Sequence, residues 1–134
     1  MTYDGIIHSD GKSINYNRDS EGRITSIVSP TGKTVEYTYD NNGDLTAVKD
    51  VSGYVTRFEY DAHYITNIIN PRGVNVSRNI YDDNGRLIKT IDSDGNEIAY
   101  DHDIDGRQEI VTDRNGNITL YVYDDNGNVL SQTD

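Results

Sequence analysis

The chain has 134 residues, the size of one average domain, and its 12 Lys and Arg against 23 Asp and Glu leave a net charge of −11. That charge argues against nucleic acid or an anionic membrane surface as partner, because phosphate is bound by neutralising it with cations. No stretch approaches the ~18 apolar residues of a membrane-spanning helix, and zero Cys excludes a disulfide framework and thiolate-bound zinc.

Apolar side chains are scarce, with only 34% of the residues hydrophobic. Eleven Tyr separate the chain from disordered acidic sequences, which are poor in aromatics. Asp, Asn and Gly far outnumber Glu and Ala, which favours turns over helix. The composition predicts an all-β protein with very frequent turns.

Taken in chain order, residues 1–10 (MTYDGIIHSD) hold no signal peptide and read as a degenerate half-repeat. From Gly11 onward a period of 21 residues sets in. It is marked by Asp19, Asp40, Asp61, Asp82, Asp103 and Asp124, preceded by Arg18, Tyr39, Tyr60, Tyr81, His102 and Tyr123. Three residues after each Asp stands Gly22, Gly43, Tyr64, Gly85, Gly106 or Gly127. A second series, Gly11, Gly32, Gly53, Gly73, Gly95 and Gly116, falls midway, so each repeat is two half-repeats opened by turns. Asn-Gly pairs at Asn42, Asn84, Asn115 and Asn126, and Asp-Gly pairs at Asp4, Asp10, Asp94 and Asp105, supply the positive φ of tight hairpins.

Between turns the pattern alternates. Val35, Tyr37 and Tyr39, then Thr56, Phe58 and Tyr60, then Ile98, Tyr100 and His102, then Thr119, Tyr121 and Tyr123 predict half-buried strands with one aromatic face. In the other half-repeat, Ile24, Leu45, Leu87 and Val129 recur after the first glycine, followed by Ile27, Val48, Ile91 or Val111. The third repeat is irregular: Tyr60 to Tyr64 lacks the turn glycine, and an extra residue precedes Tyr81, which predicts a β-bulge or bent strand. The whole chain, 1–134, is expected to be one antiparallel β-meander of about a dozen short strands.

Three stretches carry a family signature: Tyr39-Asp40-Asn41-Asn42-Gly43-Asp44-Leu45, Tyr81-Asp82-Asp83-Asn84-Gly85-Arg86-Leu87, and Tyr123-Asp124-Asp125-Asn126-Gly127-Asn128-Val129. They closely resemble the YD repeat, also called the RHS repeat, of bacterial Rhs and wall-associated polymorphic toxins, insecticidal toxin complexes and teneurins. The resemblance covers about Gly11 to Asp134. It implies a long β-sheet that is curled or forms a segment of a hollow β-shell, and in bacterial members the shell encloses a toxic C-terminal domain. It also implies that Tyr39, Asp40, Gly43, Tyr60, Asp61, Tyr81, Asp82, Gly85, Asp103, Gly106, Tyr123, Asp124 and Gly127 are repeat-structural. The DPxG-type motif that closes bacterial repeat regions is absent, since neither Pro30 nor Pro71 follows an Asp. The chain therefore reads as an internal segment of a longer secreted or cell-surface bacterial protein.

Physics supports such a wall. At ~4.8 Å per strand, six repeats span roughly 60 Å, and a sheet with one uncovered aromatic face must curl, stack or meet more repeats. The expected partners are neighbouring repeats and an enclosed toxin or effector, and the open edges invite edge-to-edge self-association. No nucleophile elbow, phosphate loop or cofactor motif occurs, so neither catalysis nor a cofactor is expected. His102 reads as a substitution in a structural ladder rather than a base. Asp101, Asp103 and Asp105 with Gly106 match the start of an EF-hand loop, but Thr112 stands where its bidentate Glu belongs, leaving a weak calcium candidate. Carbohydrate is the alternative partner, because sugars stack on tyrosine faces.

Overall fold

The computed structural model describes residues 4–134. They form one antiparallel sheet in which strands follow one another in chain order. The strands are β1 (Gly5–Ile7), β2 (Ser13–Arg18), β3 (Ile24–Val28), β4 (Thr34–Tyr39), β5 (Leu45–Lys49), β6 (Val55–Asp61), β7 (Tyr64–Ile69), β8 (Asn75–Tyr81), β9 (Leu87–Asp92), β10 (Glu97–Asp103), β11 (Gln108–Thr112), β12 (Ile118–Tyr123) and β13 (Val129–Thr133). The meander and its all-β class are as the periodicity predicts.

The sheet is a single layer. Each strand touches only its sequence neighbours, β1 and β13 do not meet, and no hydrophobic side chain among the described residues is buried. Of the outcomes available to a one-faced sheet, curling onto itself and stacking are not taken within this chain. Its apolar face stays half-covered by its own neighbours alone.

Cross-strand register sorts the side chains. Tyr16, Ile27 and Val35 are paired across β2, β3 and β4; Tyr37, Val48 and Thr56 across β4, β5 and β6; Tyr100, Val111 and Thr119 across β10, β11 and β12. Directly paired residues share a face, so these build the aromatic face. The opposite face carries polar pairs: Asn17 donates to Ser26 at 2.6 Å, Lys49 meets Glu36 at 3.2 Å, Asn67 donates to Glu59 at 2.6 Å and Lys89 meets Glu97 at 2.6 Å.

Bulges explain a spacing that alternation does not. Ile24 and Ile27, or Leu45 and Val48, stand three apart and should lie on opposite faces of a regular strand. The register shifts at Asn17/Arg18 and Thr38/Tyr39, which inserts one residue opposite the ladder position and returns both aliphatics to the aromatic face. Ile91 does not follow suit. It pairs with Arg78, whereas Leu87 and Thr90 face Tyr81 and Asn79.

Ten of the twelve connections share one turn. Its first residue donates its N–H to the carbonyl four residues on, and the glycine at the fourth position donates back to the first residue's carbonyl, as in Asp50–Gly53–Tyr54 at 2.9 and 3.0 Å. The positive φ sits on glycine alone, +88° at Gly53. The residue before glycine is not left-handed, so in these turns the Asn-Gly and Asp-Gly pairs supply the positive φ through glycine alone, and the pattern is that of a type I turn closed by a glycine bulge. Asp4-Gly5 is no turn, because Gly5 opens β1.

The two remaining connections lie at the irregular places. In the third repeat Asp61 pairs directly with Tyr64, leaving Ala62 (φ 44°) and His63 (φ 73°) as a two-residue turn with both residues left-handed. The compensating residue is Val76, expelled by a register shift opposite Ile68/Ile69. The bulge expected there is present. In the fifth repeat the left-handed residue is Arg107 (φ 52°) and not Gly106. Gly106 is needed for another reason: a Cβ there would run into the Asp103 carboxylate.

Opposite signs are expected from two alanine–glycine exchanges. Gly53→Ala destabilises by about 1 kcal/mol through the left-handed backbone, whereas Ala62→Gly relieves the same strain and stabilises by about 0.5–1 kcal/mol. Thermal unfolding of both variants checks the pair of signs.

Candidate functional site

The residues singled out by the repeat meet at one edge of the sheet, where the turns after β2, β4, β6, β8, β10 and β12 lie in a row. Each contributes a carboxylate, and all but the first, where Arg18 stands, contribute a ring at the strand end.

The rings form a ladder bonded to backbone. The Tyr39 hydroxyl donates to the Ile24 carbonyl at 2.9 Å, Tyr60 to Leu45 at 2.8 Å and Tyr81 to Ile65 at 2.9 Å. Each bond crosses to the adjacent strand just beyond the point where backbone pairing of the two strands stops, tying the turn after the ring to the turn before it. His102 keeps the rung, since its Nε2 donates to the Leu87 carbonyl at 2.8 Å. Tyr123 changes partner and donates to the Glu109 carboxylate at 3.0 Å, a contact that pushes its phenol above the usual range. The Tyr60 phenol is also raised, by burial first and by Asp44 and Asp40 next.

The carboxylates lock the turns. Asp82 Oδ1 accepts N–H bonds from Asn84 at 2.9 Å and Arg86 at 2.8 Å, and Asp19, Asp40 and Asp124 do the same in their own turns. These are Asx turns, in which a side chain supplies the acceptor that the reversing backbone lacks. Asp61 has no such role, because its two-residue turn offers no N–H at the right place. Asp103 takes one bond only, from Gly106 at 2.8 Å.

Sequence reading missed the other half of this device. Asp50, Asn70, Asp92 and Asp113 lock the turns at the far edge by the same two bonds. The signal was available, since each stands three residues before a glycine of the second series, like the Asp of the first.

The neighbouring turns are also tied to one another. The Arg23 guanidinium bonds Asp19 at 2.7 Å and lies 4.8 Å from the Tyr39 ring centroid. His63 Nδ1 meets Asp44 at 2.8 Å, Arg107 pairs with Asp125, and Tyr64, the residue in the missing glycine's slot, lies over Gly85 with its ring 5.1 Å from that of Tyr81.

The calcium candidates do not converge. Asp101 and Asp103 lie on β10, Asp105 lies in the turn, and among the described residues no group of three His, Asp or Glu side chains could hold a metal ion. The ladder tyrosines spend their hydroxyls on the protein, and the large exposed tyrosines lie off the ladder: Tyr54 at 63% and Tyr64 at 43%.

A ring-to-carbonyl bond between adjacent strands, repeated with the Asx-locked turn, is a structural unit. Residues 2–97 match the Teneurin YD-shell model, and residues 81–118 match the RHS Repeat model. The chain belongs to the YD-shell repeat family. Among solved structures it resembles a chain in the crystal structure of TcdB2-TccC3-Cdc42, with TM-score 0.58 and 18% identity over 93% of this chain. It also resembles a chain of the Photorhabdus luminescens Tc holotoxin pore carrying a TccC3 mutation, with TM-score 0.55 and 18% identity over 90% of this chain. At this identity the likeness is one of fold. This YD-shell segment spans 9% and 8% of those two chains. No curated protein matches it.

Two measurements test the ladder and the locks. Tyr60→Phe keeps the ring and removes the bond to Leu45, so it should cost about 1 kcal/mol, whereas His102→Tyr restores the regular rung and should cost nothing; chemical denaturation distinguishes the two. The carboxyls of Asp19, Asp82, Asp92, Asp113 and Asp124 are held below their usual 3.8 by side-chain and backbone hydrogen bonds. A depressed carboxyl stabilises the fold above its unfolded pKa and loses that contribution as pH falls. Unfolding temperature should accordingly drop steeply below about pH 4, and an Asp113→Asn variant should show a shallower fall.

Proposed function

We propose that this chain is a wall element, a non-catalytic run of YD repeats forming part of a hollow β-shell or scaffold. The shell would belong to a longer secreted or cell-surface bacterial protein and would encapsulate or present its C-terminal toxin or effector. The observation that carries this reading is the single uncovered layer. Thirteen strands pair in sequence and no hydrophobic side chain among the described residues is buried, so the aromatic face is left for something else to cover. An autonomous binding module or enzyme of this length would enclose a core of its own. A repeat array instead draws its stability from neighbouring repeats and tolerates extension at either end.

The tyrosines named as repeat-structural support the same role. Their rings pack between rungs, and their hydroxyls bind backbone carbonyls or, at Tyr123, the Glu109 carboxylate, leaving no ladder hydroxyl for a sugar. The domain is read as one repeat region across 1–134, in which each 21-residue unit is one hairpin and its link to the next. Neighbouring repeats on both sides, and a cargo against one face, are the partners this geometry suits.

Light scattering coupled to size exclusion, with a dye that fluoresces on apolar surface, tests the proposal. A wall element should run above its 15.1 kDa monomer mass or, as a monomer, bind the dye strongly. A compact monomer that binds no dye would overturn it, because such a molecule covers its own face.

A further inference from the structure

Links along the turn row differ in what holds them. Arg107 of the fifth turn pairs with Asp125 of the sixth, Arg23 of the first lies over the Tyr39 ring that leads into the second, and Tyr64 packs over Gly85 of the fourth. The link from the third turn to the second is His63 to Asp44, 2.8 Å apart although 19 residues separate them in sequence. Backbone pairing between β5 and β6, the strands that run from the second turn and into the third, stops at Ala47 and Arg57, short of both turns.

The surroundings of His63 are acidic. Asp40 and Asp44 face it from the β4–β5 turn, Glu59, Tyr60 and Asp61 belong to the adjoining β6, and Tyr64 opens β7. No Lys or Arg is among the residues lining the cleft between the two turns. The Asp44 side chain is only 13% exposed, while His63 reaches it from solvent at 67%. The backbone places the imidazole there by a costly route, since Ala62 and His63 are both left-handed without being glycine. In the other turns of the row this residue economy is absent, and a glycine carries the left-handed position, apart from Arg107 in the fifth.

We infer that His63 and Asp44 form a proton-operated latch, in which the imidazolium fastens the third turn to the second and the neutral ring releases it. This goes beyond the wall role: it makes one seam of the sheet edge sensitive to the pH range in which histidine titrates. The hydrogen bond and charge of Asp44, then the charge of Asp40, raise the His63 pKa above 6.5. A raised histidine pKa contributes stability that is fully present below the unfolded value of 6.5 and is lost as pH climbs through the folded value. The latch is therefore closed in mildly acidic water, above the range in which the Asx locks begin to protonate.

The histidine Cε1–H resonances of the whole chain, followed by NMR from pH 5 to 9, test this, with His63→Asn used to assign the His63 signal. Asn tolerates the left-handed turn, and the Asp44 side chain has no bond in the Asx lock, so both His63→Asn and Asp44→Asn should fold. The expected result is a lower titration midpoint for His63 in Asp44→Asn than in the parent chain. The parent should also gain unfolding temperature between pH 8.5 and pH 6 relative to both variants. An unchanged midpoint in Asp44→Asn, or an equal gain in all three proteins, would overturn the latch.

Discussion

Everything in this molecule follows from being one layer thick. A sheet that packs against nothing within its own chain has no interior to bury side chains in, so the usual dominant stabilising term, apolar area removed from water, is reduced to contacts between neighbours on one face. Order must then come from directional contacts repeated often. The ladder bonds, the bulges and the Asx-locked turns are those contacts, and they recur because the sequence repeats every 21 residues.

The repeat-to-repeat tie is the least local of them. Backbone pairing alone makes a ribbon in which each strand knows only its neighbours. A tyrosine hydroxyl that reaches back to Ile24, Leu45 or Ile65 bridges two adjacent strands where their backbone pairing has ended and so constrains how one turn is set against the one before. The bulge preceding the tyrosine in most repeats serves the same end, since it increases local twist and keeps the aliphatic partner on the aromatic face. A His at this position preserves the geometry because its Nε2 places a donor where the phenol would place one.

Such a construction suits a wall. Shell-forming repeats must extend without a natural stop and present one face inward and one outward, and they must tolerate local drift. The third and fifth repeats show the tolerance: one trades a glycine turn for a two-residue turn and repays the lost residue with the Val76 bulge, and the other moves the left-handed residue to Arg107. The strand order is undisturbed in both cases.

Much of this was legible in the residues themselves. The period, the strands, the turn positions, the aromatic face and the family all follow from where Tyr, Asp and Gly recur, because period-two alternation and turn chemistry are local properties that need no tertiary information. The turn type was not legible: Asn-Gly suits two kinds of hairpin, and only the backbone shows that glycine alone is left-handed. Nor was the same-face placement of Ile24 and Ile27, which depends on a bulge opposite a residue in another strand. The second set of locks at Asp50, Asn70, Asp92 and Asp113 was visible but became meaningful only when their N–H partners were seen. What the tertiary structure decided was contact between residues distant in sequence: which carbonyl each tyrosine reaches, that His63 lands on Asp44, and that the sheet neither closes nor stacks. Those depend on how strand twist accumulates along the sheet, which no window of the sequence contains.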